Sequence, residues 1–166
     1  MPPTTGRPGD AQPSEISGIR NGVDVVRPSD IPQLVEVWEA SVRASHDFLS
    51  NDDITGYRPI VRDRLYDAME LYAVRDEAGD MVAFSGVADG KLEALFVHPN
   101  WIGRGIGRRL VRHALDERGV TTVDVNEQNP RALAFYLRMG FEVVARSELD
   151  QEGNPYPLLH MRLARA

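Results

Sequence analysis

Apolar side chains recur every three or four residues in four stretches of the chain, which is the spacing of one face of a helix. The first stretch follows Ser29 and carries Trp38 on its apolar face, and the second begins near Pro59. The third starts at Ile106, and the fourth follows Asn129, a favoured N-cap residue with a proline directly behind it. We therefore predict four helices, with Trp38 in the core.

Short apolar or alternating runs separate these helices and predict seven β-strands. The runs are 23–28, 71–76, 81–89, 91–97, 121–125, 141–149 and 157–163. A tight turn is predicted at Asp89 and Gly90, whereas residues 45–57 are predicted to form a loop. The element order β-α-α-β-β-β-α-β-α-β-β indicates an α+β (mixed α/β) domain, in which helices pack on a mostly antiparallel central sheet.

Length and composition indicate one folded domain, which we place at residues 20–166. Residues 1–19 are rich in proline, glycine and polar side chains, so we expect a disordered N-terminal tail. The net charge of −6 argues against a nucleic-acid partner. The chain has no cysteine, which excludes disulfides and thiolate nucleophiles. No apolar run has the length of a membrane span or the form of a signal peptide, so we expect no membrane partner and a cytoplasmic location.

The segment HPNWIGRGIGRRL (98–110) places three alternating glycines between a strand and a helix. Backbone N–H groups at a helix start are unpaired and lie at the positive end of the helix dipole. Glycines allow an anion to approach these groups closely, and four arginines add positive charge: Arg104, Arg108, Arg109 and Arg112. The spacing fits neither GxxxxGK[ST] nor GxGxxG. The segment therefore predicts an anion cradle, or, if the glycines serve only the backbone, a plain turn.

A second cluster, NEQNPRALAFYLRMGF (126–141), favours the anion cradle over the plain turn. Together with LFVHP, IGRGIG, TTVDV and a closing strand pair, it resembles the GNAT superfamily of acyl-CoA N-acyltransferases. The resemblance runs from about Val23 to Leu163. The combination of SHDFLS, ALFVHP, NEQN and NPYPLL resembles the bacterial YjaB-type branch of that superfamily. One departure is Ile102, which stands where the pattern has arginine or glutamine and removes one side-chain partner for phosphate.

The resemblance implies an N-acetyltransferase that moves an acetyl group from acetyl-CoA to a primary amine by direct attack in a ternary complex, without a metal. The glycine loop would hold the coenzyme pyrophosphate. A strand backbone would bind the pantetheine arm, although the same strand residues also suit core packing. The implied coenzyme-binding residues are Leu95, Phe96, Val97, Gly103, Arg104, Gly105, Ile106, Gly107, Arg108, Asn129 and Tyr136. Phe135 is assigned to the core, and the protein is expected to be a monomer or a homodimer.

Acyl transfer requires a neutral amine and a protonated leaving thiolate. Tyr136 matches the position where the family places a phenol beside the coenzyme sulfur, so we assign it as the acid, although it also suits interface packing. Glu93 and His46 are the candidate bases, and either could instead be a solvated side chain. We favour Glu93, because a strand fixes it on the face of Leu95. Further side chains expected near the acceptor are Asp47, Phe48, Tyr156 and His160.

Two other classes of protein remain compatible with the sequence. One is a non-catalytic sensor or regulatory module that binds acyl-CoA, and the other is an oligomeric structural protein with an incidental glycine turn. Tyr136 argues against the sensor.

Overall fold

The structure, a computed structural model, describes residues 15–165 and confirms the predicted order of elements. The strands and helices are β1 (Asp24–Val25), α1 (Ile31–Ser45), α2 (Asn51–Ala68), β2 (Glu70–Arg75), β3 (Met81–Ala88), β4 (Lys91–Val97), α3 (Ile106–Arg118), β5 (Thr122–Asn126), α4 (Pro130–Arg138), β6 (Phe141–Ser147) and β7 (Leu158–Leu163). β1 is shorter than predicted, because Pro28 begins a single turn of 3-10 helix.

The seven strands form one sheet in the order β1-β2-β3-β4-β5-β7-β6. All neighbours are antiparallel except β4 and β5, which run parallel. These two strands pair at Lys91 with Thr122 and at Leu92 with Val123. β4 continues to Val97 without further pairing to β5, so the sheet opens between the two strands. The mixed α+β class predicted from the sequence is confirmed.

Helices cover the two faces of the sheet and build its core. α1 and α2 pack on one face against Phe84, and Trp38 is buried there as predicted. α3 and α4 pack on the other face, where Tyr136 and Met161 are buried. Phe135 is half-buried against this second cluster. The opening between β4 and β5 therefore lies in the sheet layer between these two helical layers.

The predicted start of the second helix is wrong. α2 begins at Asn51, eight residues before Pro59, and Pro59 lies inside the helix. Ser50 Oγ accepts a hydrogen bond from the Asp53 N–H at 3.0 Å, and the Asp53 carboxylate accepts one from the Ser50 N–H at 2.9 Å. This capping box fixes the helix start, and Pro59 costs the helix one backbone hydrogen bond. The predicted loop 45–57 is correspondingly shorter.

The N-terminal boundary also differs from the prediction. Ile19, placed at the end of a disordered tail, is buried and forms a β-bridge with Asp76. Arg20 donates its N–H to the carbonyl of Arg75 at 2.9 Å. Residues 1–14 of the predicted tail lie outside the described residues. Within residues 15–165, no helix combines the length and apolar character needed to cross a bilayer.

Candidate active site

A cavity of about 120 Å³ lies at the opening between β4 and β5. Its walls are the β4 segment 93–96, the β5 segment 123–126, Asn129 and Tyr136 from α4, and His46 from the end of α1. The three predicted catalytic residues, far apart in sequence, thus line one cavity. The unpaired edge of β4 that continues to Val97 borders the same opening.

A β-bulge sets the direction of Glu93. On β3 the pairing passes from Ala94 to Leu92, so Glu93 is an extra residue on β4. Leu92 and Leu95 consequently pack on the same face, beneath α3 and α4, while Ala94 packs towards α1. The prediction that Glu93 shares the face of Leu95 is wrong, because a bulge breaks the alternation of side chains. Glu93 instead lies on the side of Lys91, whose Nζ is 3.9 Å from Glu93 Oε1.

The glycine loop has the geometry of an open cradle. Gly103 and Gly105 have φ values of 81° and 84°, a left-handed conformation that favours glycine. A Cβ atom at either position would meet no heavy atom within 4 Å, so the space above their backbone is open. Gly105 is the N-cap of α3, whose first N–H groups have no intrahelical partner. A Cβ at Gly107 would instead touch Phe135 at 3.6 Å and Val97 at 3.7 Å.

The arginines around the cradle differ in their exposure and in the groups that they contact. Arg104 and Arg108 are exposed, and the Arg104 guanidinium lies over the Trp101 ring at 4.6 Å from its centroid. Arg109 donates a hydrogen bond to the carbonyl of Arg20 at 2.9 Å, and burial lowers its pKa. The side chain of Ile102 is exposed, so the departure from the family pattern adds an apolar surface residue and no strain.

Tyr136 is buried in an aromatic setting at the base of the cavity. Its ring makes edge contacts with Phe135 at 5.0 Å and with Phe141 at 5.8 Å between centroids. Within residues 15–165 its hydroxyl forms no hydrogen bond, and burial raises its pKa. The phenol therefore keeps its proton at any physiological pH. Asn129 is the N-cap of α4, as predicted, with its Oδ1 accepting the Ala132 N–H at 3.2 Å.

His46 follows the last turn of α1, and its hydrogen bonds identify its tautomer. Ser45 Oγ lies 2.8 Å from His46 Nδ1 and 2.7 Å from the carbonyl of Ser41. The single hydroxyl proton goes to the carbonyl, which can only accept, so Nδ1–H donates to Ser45 and Nε2 keeps its lone pair. Burial lowers the pKa of His46, and Asp47 partly opposes this effect. The ring is therefore neutral at neutral pH and has a free acceptor.

The other side chains expected near the acceptor lie beside the cavity rather than in it. The Phe48 ring contacts His46 at 5.3 Å and Tyr156 at 5.6 Å between centroids. Tyr156 donates its hydroxyl to Asp53 Oδ2 at 2.9 Å, which ties the β6–β7 loop to α2. Asp47 is exposed. The aromatic contacts thus run from His46 through Phe48 to Tyr156.

His160 lies two strands away from β4 and contacts the cavity through Asp124. Its Nδ1 is 2.6 Å from Asp124 Oδ1, and Asp124 lines the cavity. Lys91 Nζ lies 2.5 Å from the other oxygen of the same carboxylate. The sequence analysis did not single out Asp124, although a lone carboxylate between two valines in the predicted strand 121–125 was a usable signal.

The fold is that of the acyl-CoA-dependent N-acyltransferases. Residues 67–143 match the family described as the acetyltransferase (GNAT) domain. The peptidyl-lysine N-acetyltransferase YjaB of Salmonella typhimurium is 43% identical over 129 residues, which are 78% of this chain and 88% of that protein. The apo form of YjaB from Escherichia coli, solved in solution, matches with 38% identity and a TM-score of 0.79, over 87% of this chain and 98% of that one.

A more distant structure has the same fold. The PaiA N-acetyltransferase of Thermoplasma acidophilum, solved with coenzyme A, has 16% identity and a TM-score of 0.64, and the match covers 86% of this chain and 99% of that one. The chain belongs to the GNAT family of N-acetyltransferases. It uses acetyl-CoA as donor and transfers the acetyl group to an amine, as the sequence predicted.

Proposed function

We propose that the acceptor is the side-chain amine of a lysine in a protein or peptide, and that this amine attacks bound acetyl-CoA directly. The observation that carries the proposal is the placing of Glu93, His46 and Tyr136 around one cavity at the strand opening. The relatives that carry the name peptidyl-lysine N-acetyltransferase support this class of acceptor.

The donor would bind along the outer edge of β4 and over the glycine loop. Leu95, Phe96 and Val97 pair with β3 on one side and leave their other backbone edge towards the opening. An extended pantetheine arm can hydrogen-bond to such an edge. The pyrophosphate would lie against the open backbone of Gly103 and Gly105 and the start of α3, with exposed arginines nearby. The coenzyme-binding residues of this loop are Gly103, Arg104, Gly105, Ile106, Gly107 and Arg108.

The acceptor would enter from the side of His46 as an ammonium ion. Glu93, whose side chain is about one-quarter exposed, would attract this cation and accept its proton directly or through water. His46 is the second candidate for the base, because its Nε2 is unprotonated and its neutral form predominates at neutral pH. The two candidates predict different pH profiles.

Bond exchange then needs a proton donor at the sulfur. The amine nitrogen would form a bond to the acetyl carbon as the carbon–sulfur bond breaks, and the electron pair would pass to the sulfur. Tyr136 would donate its hydroxyl proton to this sulfur. Burial keeps the phenol protonated and makes it a weaker acid in the free enzyme, so we expect its hydrogen bond to strengthen as charge develops on the thiolate.

The proposal is tested by release of free thiol from acetyl-CoA with three matched acceptors. These are a lysine peptide with a blocked N-terminus, the same peptide with norleucine for lysine and a free N-terminus, and free lysine. We expect the first to give the highest kcat/KM. A preference for the free N-terminus, or for the free amino acid, would contradict lysine in peptides as the acceptor. We also propose that the protein acts in the cytoplasm.

A further inference from the structure

Lys91 lies beside two carboxylates, Glu93 and Asp124, that line the cavity. Its Nζ is 2.5 Å from Asp124 Oδ2 and 3.9 Å from Glu93 Oε1. All three side chains are at most one-quarter exposed. One ammonium therefore faces two possible partners and is bound closely by only one of them.

A chain of hydrogen bonds holds the Asp124 carboxylate that Lys91 contacts. His160 Nδ1 lies 2.6 Å from Asp124 Oδ1, and His160 Nε2 lies 2.6 Å from Ser147 Oγ. The imidazole thus fixes one oxygen of the carboxylate and leaves the other to Lys91. Burial raises the pKa of Asp124, but the hydrogen bonds from Lys91 and His160 outweigh this effect, so its pKa lies below the ordinary value. The Asp124 carboxylate is ionised throughout the neutral range.

The same arrangement leaves Glu93 without a close partner. Within residues 15–165, Lys91 is the one cation within 4 Å of the Glu93 carboxylate, and the 3.9 Å separation is too long for a hydrogen bond. Lys91 pairs closely with Asp124, so the Glu93 carboxylate contributes a negative charge that no close partner neutralises. An incoming ammonium would be attracted to that charge.

We propose that Asp124 is a positioning residue, which holds Lys91 away from Glu93 and thereby keeps the Glu93 carboxylate available to the acceptor ammonium. This inference rests on the role of Glu93 in the proposed function. Without the charge of Asp124, Lys91 would turn to Glu93 and occupy the carboxylate that the acceptor needs. The internal cation would then compete directly with the substrate cation.

The competition predicts a rescue that a purely structural role would not produce. Asp124→Asn keeps the shape of the side chain and an oxygen for His160, but removes the charge that binds Lys91. The pair of Lys91 and Glu93 that would then form is half-buried, and such a pair is stronger than an exposed one. We therefore expect kcat/KM for the lysine peptide to fall by about tenfold, chiefly through KM. Lys91→Gln alone should stay within about threefold of the parent, because Glu93 then remains available.

The double variant Asp124→Asn with Lys91→Gln is the decisive measurement. We expect it to recover to within about threefold of the parent, because no internal cation is left to occupy Glu93. A double variant as impaired as Asp124→Asn alone would overturn the inference. Thermal unfolding and coenzyme A affinity, measured on each variant, should stay close to the parent if the loss is confined to the acceptor.

Glu93→Gln separates failure of the inference from failure of the proposed function. Parent-like kinetics in Glu93→Gln would overturn the role of Glu93 and the inference together. A loss in Glu93→Gln without recovery in the double variant would overturn only the inference. A loss in Glu93→Gln with recovery in the double variant supports both.

Discussion

Replacing Gly105 by alanine tests the anion cradle, because the structure supplies a matched control on the same helix. Gly105 begins α3 with φ 84°, and Gly119 ends it with φ 64°. A Cβ atom at either position would meet no heavy atom within 4 Å. Both substitutions therefore carry a comparable left-handed strain, about 1–2 kcal/mol, and only the first adds a methyl group to the proposed phosphate site.

The expected results separate folding from binding. The strain should lower Tm by a few degrees in both variants, since about 1 kcal/mol corresponds to roughly 2–4 °C in a chain of this size. A methyl group at Gly105 would hold the pyrophosphate off one or two backbone N–H groups. A hydrogen bond to a charged group contributes about 1.5–3 kcal/mol, so coenzyme A affinity should fall by about 10- to 100-fold in Gly105→Ala alone.

Isothermal titration calorimetry with coenzyme A measures this difference, and thermal unfolding without ligand provides the comparison of strain. Parent-like coenzyme affinity in both Gly105→Ala and Gly119→Ala would refute the cradle. An equal loss of affinity in both would also refute it, because strain in α3 rather than access to the backbone would then control binding.

Three further predictions concern the chemistry and the fold. Tyr136→Phe keeps the buried ring and removes the proton, so kcat should fall by about 10²–10⁴ with unchanged coenzyme affinity; parent-like turnover would assign Tyr136 to packing. If His46 is the base, kcat/KM should rise with pH through the pKa of His46, which burial places below 6.5, and His46→Ala should abolish that limb; a limb that survives in His46→Ala but disappears in Glu93→Gln would assign the base to Glu93. Ser50→Ala removes the cap of α2 and should cost about 1 kcal/mol, measured by denaturant unfolding; an unchanged midpoint would contradict the capping box as the start signal.

Local chemistry explains what could be predicted from the sequence. Asp89 and Gly90 adopt positive φ values of 50° and 75°, as a tight turn between antiparallel strands requires. The same holds for Asn129 as an N-cap and for the glycines before α3, because each signal depends on residues that are close in the chain. The order of elements and the family followed from these signals and from the resemblance that they carry.

The cavity depends on contacts between distant segments. In the sequence, His46, Glu93 and Tyr136 belong to three separate segments. The separation of β4 from β5 opens one cavity, which all three side chains line. The direction of Glu93 comes from a bulge that forms only when β4 pairs with β3. No alternation rule within one strand contains that information.

The ion pairing of Lys91 likewise cannot be predicted from the sequence of a single strand. Its ammonium lies 2.5 Å from Asp124 and 3.9 Å from Glu93, and His160 reaches the same Asp124 carboxylate from β7. Composition supplies the two carboxylates, the ammonium and the imidazole, but electrostatic pairing depends on distance and burial. Both are set by the packing of strands that lie more than 30 residues apart in the chain, and therefore by the tertiary structure alone.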